Sequence, residues 1–213
     1  MKRKLKTSLI ITIILVAFSC KKDSINPSSD TINSPTNFLK EVRPDDRRTS
    51  EFFISGEFNG IRINCASTLA YIYPDNEKNF NALYINSNGL DQINLIRENN
   101  DMSVMIAIYF LQAKIYTRQF PYNLPHENPA VGEFAEIQLI NMKKLGSATQ
   151  NSMEDDFSFL GLSPNSIKIQ VTSFVDNILE GTFEGYLATR NRDSIIEVKN
   201  GKFRIKIKVV NLD

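Results

Sequence analysis

The chain has 213 residues, 25 basic against 24 acidic side chains, one histidine, two cysteines and no tryptophan. Cleavage before Cys20, argued below, removes Lys2, Arg3, Lys4 and Lys6 and leaves 21 basic against 24 acidic groups, a net charge of −3. This balance leaves no global polybasic character and so argues against nucleic acid as a general partner, leaving only local patches, and a lone histidine excludes a histidine-rich zinc site.

Residues 1–19 read as a signal peptide: a basic start, an apolar stretch from Leu9 to Phe18, and the small residue Ser19 before Cys20. The apolar stretch is about half of the ~20 residues needed to cross the hydrocarbon core, so it is a cleaved leader and not a span. The run LeuValAlaPheSerCys resembles the lipobox of diacylated bacterial lipoproteins and implies lipidation at Cys20, with acyl chains such as palmitate. Several chains, each contributing about 0.8 kcal/mol per buried CH₂, hold far more firmly than one. The competing reading is an ordinary secretory leader cut near an incidental cysteine. With Cys20 acylated, Cys65 has no partner for an intramolecular disulfide. Its place in the series Ile61, Ile63, Cys65 makes it a small buried hydrophobe.

Residues 20–50 carry the lipidated cysteine and a flexible tether rich in Ser, Thr, Asn and Asp, with Pro27, Pro35 and Pro44 spaced against regular structure. Thirty such residues reach roughly 30 Å as a coil and about 100 Å when straight. The apolar group Phe38, Leu39 and Val42 offers a point of docking on the domain that follows. Lys21, Lys22 and Asp23 resemble the start of Bacteroidetes-type lipoproteins displayed on the cell surface. The implied location is the outer membrane, leaning to the surface, with its periplasmic face as the alternative.

Residues 51–213 predict one all-β domain, an antiparallel β-sandwich, with a lipocalin-like β-barrel as the alternative. Asn59-Gly60 and Asn88-Gly89 each follow a strand-like run and signal hairpins, because Asn and Gly best tolerate the positive φ of type I′ turns. Asn99, Asn100 and Asp101 supply a further turn. The run Met102–Leu111 is apolar on both faces, which predicts either a strand covered on both sides or one lining a cavity with Met105, Ala107 and Tyr109. A helical turn is predicted near Met153–Leu160. Period-two alternation then places Ile167, Ile169 and Val171 inward against Lys168, Gln170 and Thr172, and Leu179, Phe183 and Leu187 inward against Glu180, Thr182 and Glu184. Asn200-Gly201 signals a last hairpin, followed by Phe203, Ile205, Ile207 and Val209 inward and Lys202, Arg204, Lys206 and Lys208 outward. The count is nine to eleven strands, and the lack of a fixed repeat argues against propellers and solenoids.

The segment Gly181, Thr182, Phe183, Gly185, followed by Asn200, Gly201, Lys202 and Phe203, resembles Bacteroidetes-type β-sandwich lipoproteins of unknown function. The resemblance covers about the last fifty residues, the leader and the first hairpin. It implies a lipoprotein sandwich domain and no chemistry.

Candidate sites are few. His126 lies in a loop broken by Pro121, Pro125 and Pro129, without the partners a catalytic base requires. Glu154, Asp155 and Asp156 are adjacent, lack the spacing of a calcium loop, and read as a solvated charge run. Glu180 and Glu184, about 13 Å apart on one strand face, exceed the usual glycosidase separation. The stripe Lys202, Arg204, Lys206 and Lys208 suits an anion, or serves to guard an edge and pair with Glu180 and Glu184. Tyrosines such as Tyr122 offer contact surface, although the lack of Trp removes the best stacking residue. No catalytic residue, metal or cofactor is assigned. The sequence points to a membrane-anchored, non-enzymatic binding module for a glycan or envelope protein, using Tyr122, His126, Lys202, Arg204 and Lys206. The rivals are a carrier of a small hydrophobic ligand and, less favoured, a hydrolase.

Overall fold

A computed structural model of the chain describes residues 35–42, 50–67, 82–87, 90–124, 132–143, 158–162, 165–190 and 192–211. All belong to one compact unit, Ile32–Asp213. Cys20 and His126 lie outside the described residues, as do Asn88-Gly89 and Glu154 to Asp156.

The first described segment departs from the sequence reading. Pro35–Asn37 forms a 3₁₀ turn leading into a short helix, α1 (Phe38–Glu41), where a flexible tether without helix or strand is predicted. Proline suits a first helical turn, since its fixed φ is already helical and its missing N–H is not needed there. The apolar residues justify the stop: Leu39 and Val42 enter the main core, 1% and 6% exposed, and Phe38 stacks on Phe159 at 5.9 Å. The anticipated docking of this group is what the structure contains.

The twelve named strands are β1 (Phe53–Phe58), β2 (Ile61–Cys65), β3 (Ala82–Ser87), β4 (Leu90–Glu98), β5 (Val104–Leu111), β6 (Tyr122–Leu124), β7 (Phe134–Asn141), β8 (Ser158–Leu162), β9 (Ile167–Val175), β10 (Ile178–Ala188), β11 (Ile195–Lys206) and β12 (Lys208–Asn211). They form one sheet in the order β12-β3-β4-β5-β7-β8-β10-β11-β1-β2, with β9 beside β10 and β6 beyond β9. Every pairing is antiparallel except β12 on β3. Only Ile207 separates β11 from β12, so one continuous stretch of chain spans most of the strand order and nearly closes the sheet. The architecture is all-β, nearly closed and barrel-like, and its inward faces share a single large core.

The alternation is observed where it was read. Ile167, Ile169 and Val171 are buried, as are Leu179, Phe183 and Leu187, while Thr182 and Glu184 are exposed. Phe203, Ile205 and Ile207 follow the rule, but Val209 does not: the chain has switched to β12 and Val209 is exposed. Strand β5 is covered on both sides. Val104, Ile106, Ile108 and Phe110 fill the main core, and Met105 packs on the opposite face with Ile140, Ile96 and Met142.

Asn59 and Gly60, at φ 48° and 77°, make the predicted turn between β1 and β2. Glu197 clasps that turn, accepting from the Asn59 N–H at 2.9 Å and donating its own N–H to Asn59 Oδ1 at 2.8 Å. The β3–β4 hairpin pairs Ser87 with Leu90. Between β4 and β5, Asn99 Oδ1 accepts the N–H groups of Ser103 and Val104. A hairpin without an Asn-Gly signal joins β9 to β10, where Asp176 and Asn177 take φ of 53° and 61°.

Two local readings are corrected. Ser158–Leu160 belongs to β8 and not to a helical turn, because its alternating faces pair with β7. Asn200-Gly201 is not a hairpin end: it sits inside the twelve-residue β11 as a bulge. Phe183 pairs with Gly201 and Gly185 with Val198, so the register slips on the β10 side, and it slips again on the β1 side between Ser55 and Glu57. Positive φ at Asn200 serves a bulge as well as a turn.

Candidate binding groove

The bulge is packed on its inner face by two phenylalanines of the main core. Gly181 pairs with Phe203, and Phe183 with Gly201, so each ring covers the glycine opposite it. A Cβ on Gly201 would lie 2.5 Å from Phe183 Cε2, and one on Gly181 would lie 2.7 Å from Phe203 Cε1, so neither position has room for a side chain. Gly185, at φ +138°, has a backbone that L side chains rarely adopt. These residues of the Gly-Thr-Phe-x-Gly and Asn-Gly-Lys-Phe segments thus have a packing reason to be what they are.

On the outer side of these strands lies a groove of ≈ 550 Å³ lined by the polar residues Asn123, Lys168, Gln170, Thr182, Glu184 and Lys202 together with Leu124, Ile169, Phe183 and Gly201, apolar atoms making up the larger part of the lining. One row crosses four strands: Asn123 pairs with Gln170, Gln170 with Thr182, and Thr182 with Lys202. Gln170 Nε2 donates to Asn123 Oδ1 at 2.8 Å, which orients both amides. A second row sets Lys168 opposite Glu184. Together the rows present amide, hydroxyl, ammonium and carboxylate groups on exposed strand positions.

The residues singled out in the sequence are placed as follows. Lys202 lines the groove. Arg204 instead pairs with Glu180, and with Glu51 at 3.5 Å, while Ser173 Oγ donates to Glu180 at 2.7 Å. Lys206 is half-buried further along β11. Tyr122 is buried behind the groove wall: its hydroxyl donates to the Glu133 carboxylate, and the Arg118 guanidinium lies 4.6 Å from its ring centroid. Arg118 also binds Glu133 at 2.9 Å and donates to the Ala113 carbonyl at 3.0 Å. Burial, then the Glu133 carboxylate, push the Tyr122 hydroxyl well above the ordinary tyrosine range. Tyr122 thus steadies β6, which carries Asn123. Asn123 itself escapes a sequence reading, since only the β6–β9 pairing brings it to the row.

Among the described residues no group of three or more His, Cys, Asp or Glu side chains is arranged to hold a metal ion. Cys65 is fully buried, with Sγ 3.9 Å from the Val104 carbonyl oxygen. What the fold and groove define is an all-β domain with a cross-strand site in which polar side chains on exposed strand positions sit beside apolar ones. No family model, curated protein or solved structure matches the chain.

Proposed function

We propose that this protein is a lipid-anchored lipoprotein of the bacterial outer membrane, of the Bacteroidetes type, and that its β domain binds a glycan without chemically altering it. The groove is the observation that carries the reading. Its volume falls in the range of ligand sites, about 300–1,000 Å³. Its lining mixes donors and acceptors, and its one aromatic, Phe183, is only 2% exposed. Such a surface matches a ligand whose hydroxyls both donate and accept. The leader ending in Cys20 supports the anchor and the location. A hydrophobic carrier has less support, because Met105 packs in a satellite cluster on the face of β5 away from the main core.

The test joins both halves of the proposal. In cells, wild type and Cys20→Ala are compared for palmitate labelling, membrane retention and protease accessibility, with a sealed periplasmic control. Labelled, retained and digested wild type beside a released mutant supports a surface anchor. A mutant that stays on the membrane refutes the anchor. Separately, the full chain is titrated with neutral and acidic envelope oligosaccharides. Thr182→Val and Lys202→Ala are expected to weaken binding about tenfold each, equivalent to about 1.4 kcal/mol. An absence of binding by wild type, or variants that bind equally well, rejects the glycan.

A further inference from the structure

Arg97 is the largest fully buried side chain outside the groove and has no place in the reading above. It ends the inward series Ile93, Leu95, Arg97 on β4, lies opposite Ile106 of β5, and is 2% exposed. Nη1 makes one long contact, 3.4 Å, to the Ala66 carbonyl oxygen. Nε and Nη2 have no acceptor among the described residues.

The identity of those two atoms matters. Nε and Nη2 form one edge of the guanidinium plane, from which two N–H bonds project in parallel at the spacing of carboxylate or phosphate oxygens. Burial draws the Arg97 pKa down to about 10, which still leaves the group charged at neutral pH. An uncompensated buried charge is strongly destabilising. Arg97 also stands one residue inside the end of β4. Next to it, Glu98 exchanges backbone hydrogen bonds with Ser67, and the Asn99–Ser103 turn begins.

We infer that the Nε–Nη2 edge of Arg97 is an oxyanion site, taking a carboxylate or a phosphate group. The site is on β4, away from the groove strands, and stands or falls independently of the glycan reading.

The experiment is thermal unfolding of the full chain at fixed ionic strength, with chloride replaced stepwise by acetate or by inorganic phosphate. The expected result is a saturable rise in Tm with at least one of them, reaching about 5 °C or more at a hundredfold excess over Kd. Acetate alone indicates a carboxylate ligand, and phosphate alone a phosphate ligand. Arg97→Met is expected to melt at least as high as wild type in chloride, since it replaces an unpaired charge with an apolar chain, and to lose the response. Arg97→Lys keeps the charge but not the fork, and is expected to bind at least tenfold more weakly. The proposal is overturned if neither anion exceeds the chloride control. It is equally overturned if Arg97→Met or Arg97→Lys responds as wild type does. If Arg97→Met fails to fold, wild type and Arg97→Lys still decide. An Arg97→Met collapse beside an unresponsive wild type would assign the charge to a carboxylate of the chain itself.

Discussion

The cross-strand pairs of glycine and phenylalanine make a quantitative test of what bends this sheet. Gly201→Ala adds one methyl group 2.5 Å from Phe183 Cε2 and also against the Phe183 carbonyl oxygen. Phe183 is 2% exposed, so its ring has no solvent to move into, and the carbonyl belongs to β10. Overpacking of this kind costs about 1–3 kcal/mol, and contact with backbone places the cost near 3. The gain from replacing glycine in a strand returns less than about 1 kcal/mol. At roughly 2–4 °C per kcal/mol for a domain of this size, Tm falls by about 4–12 °C. Phe183→Ala alone costs about 3–5 kcal/mol. In the double variant the ring clash is gone but the carbonyl clash persists, so the double loss is smaller than the sum by about 1–2 kcal/mol. Urea unfolding followed by far-UV circular dichroism measures all four corners. The reasoning fails if Gly201→Ala lies within roughly 0.5 kcal/mol of wild type, the range of an ordinary surface change, or if the two losses simply add.

Other outcomes follow from other parts of the molecule. Leu39→Ala removes a side chain buried in the main core and is expected to cost about 2–4 kcal/mol; a chain starting at residue 43 that melts with one starting at residue 32 would contradict this. Tyr122→Phe withdraws a hydrogen bond from Glu133 at a cost of about 1–2 kcal/mol. Because the folded Tyr122 hydroxyl titrates above its ordinary value of 10.0, the unfolded chain releases that proton first, and stability falls as pH rises beyond about 10. Urea midpoints at pH 9 and pH 11 should therefore converge between wild type and Tyr122→Phe, and a constant gap would disprove the assignment. Burial likewise raises the Glu98 carboxyl above 4.5, so the unfolded chain ionises first and stability drains away as pH climbs through that region. Glu98→Gln should be more stable than wild type at pH 7, with the advantage shrinking in acid; unchanged melting across that range would count against it.

The strands were legible because period two is imposed locally: in Ile167–Thr172 each residue's face follows from its neighbours alone. Asn200-Gly201 misleads for the opposite reason. The dihedral preference of Asn is shared by turns and bulges, and the choice is made by β1 and β10, one of them more than a hundred residues away in sequence. The groove was half legible. Lys168, Gln170, Thr182, Glu184 and Lys202 can all be assigned outward from alternation, but their convergence with Asn123 depends on a three-residue strand with little pattern of its own. The alternation Ile93, Leu95, Arg97 places a charge on an inward position, a signal present in the sequence whose meaning waits on the absence of a described partner.

The last strand has a consequence for the protein's birth. β12 pairs with β3 between Lys208 and Leu83, so the seam of the sheet joins positions 125 apart in sequence. A chain emerging N-terminus first cannot complete that seam until Lys208–Asn211 is available. Until then the β12 side of β3 is an open edge, which is a template for aggregation. Long-range pairing of this kind folds slowly. The growing chain therefore passes through an interval in which this edge is open, and loss of Lys208–Asn211 would leave the sheet unfastened there.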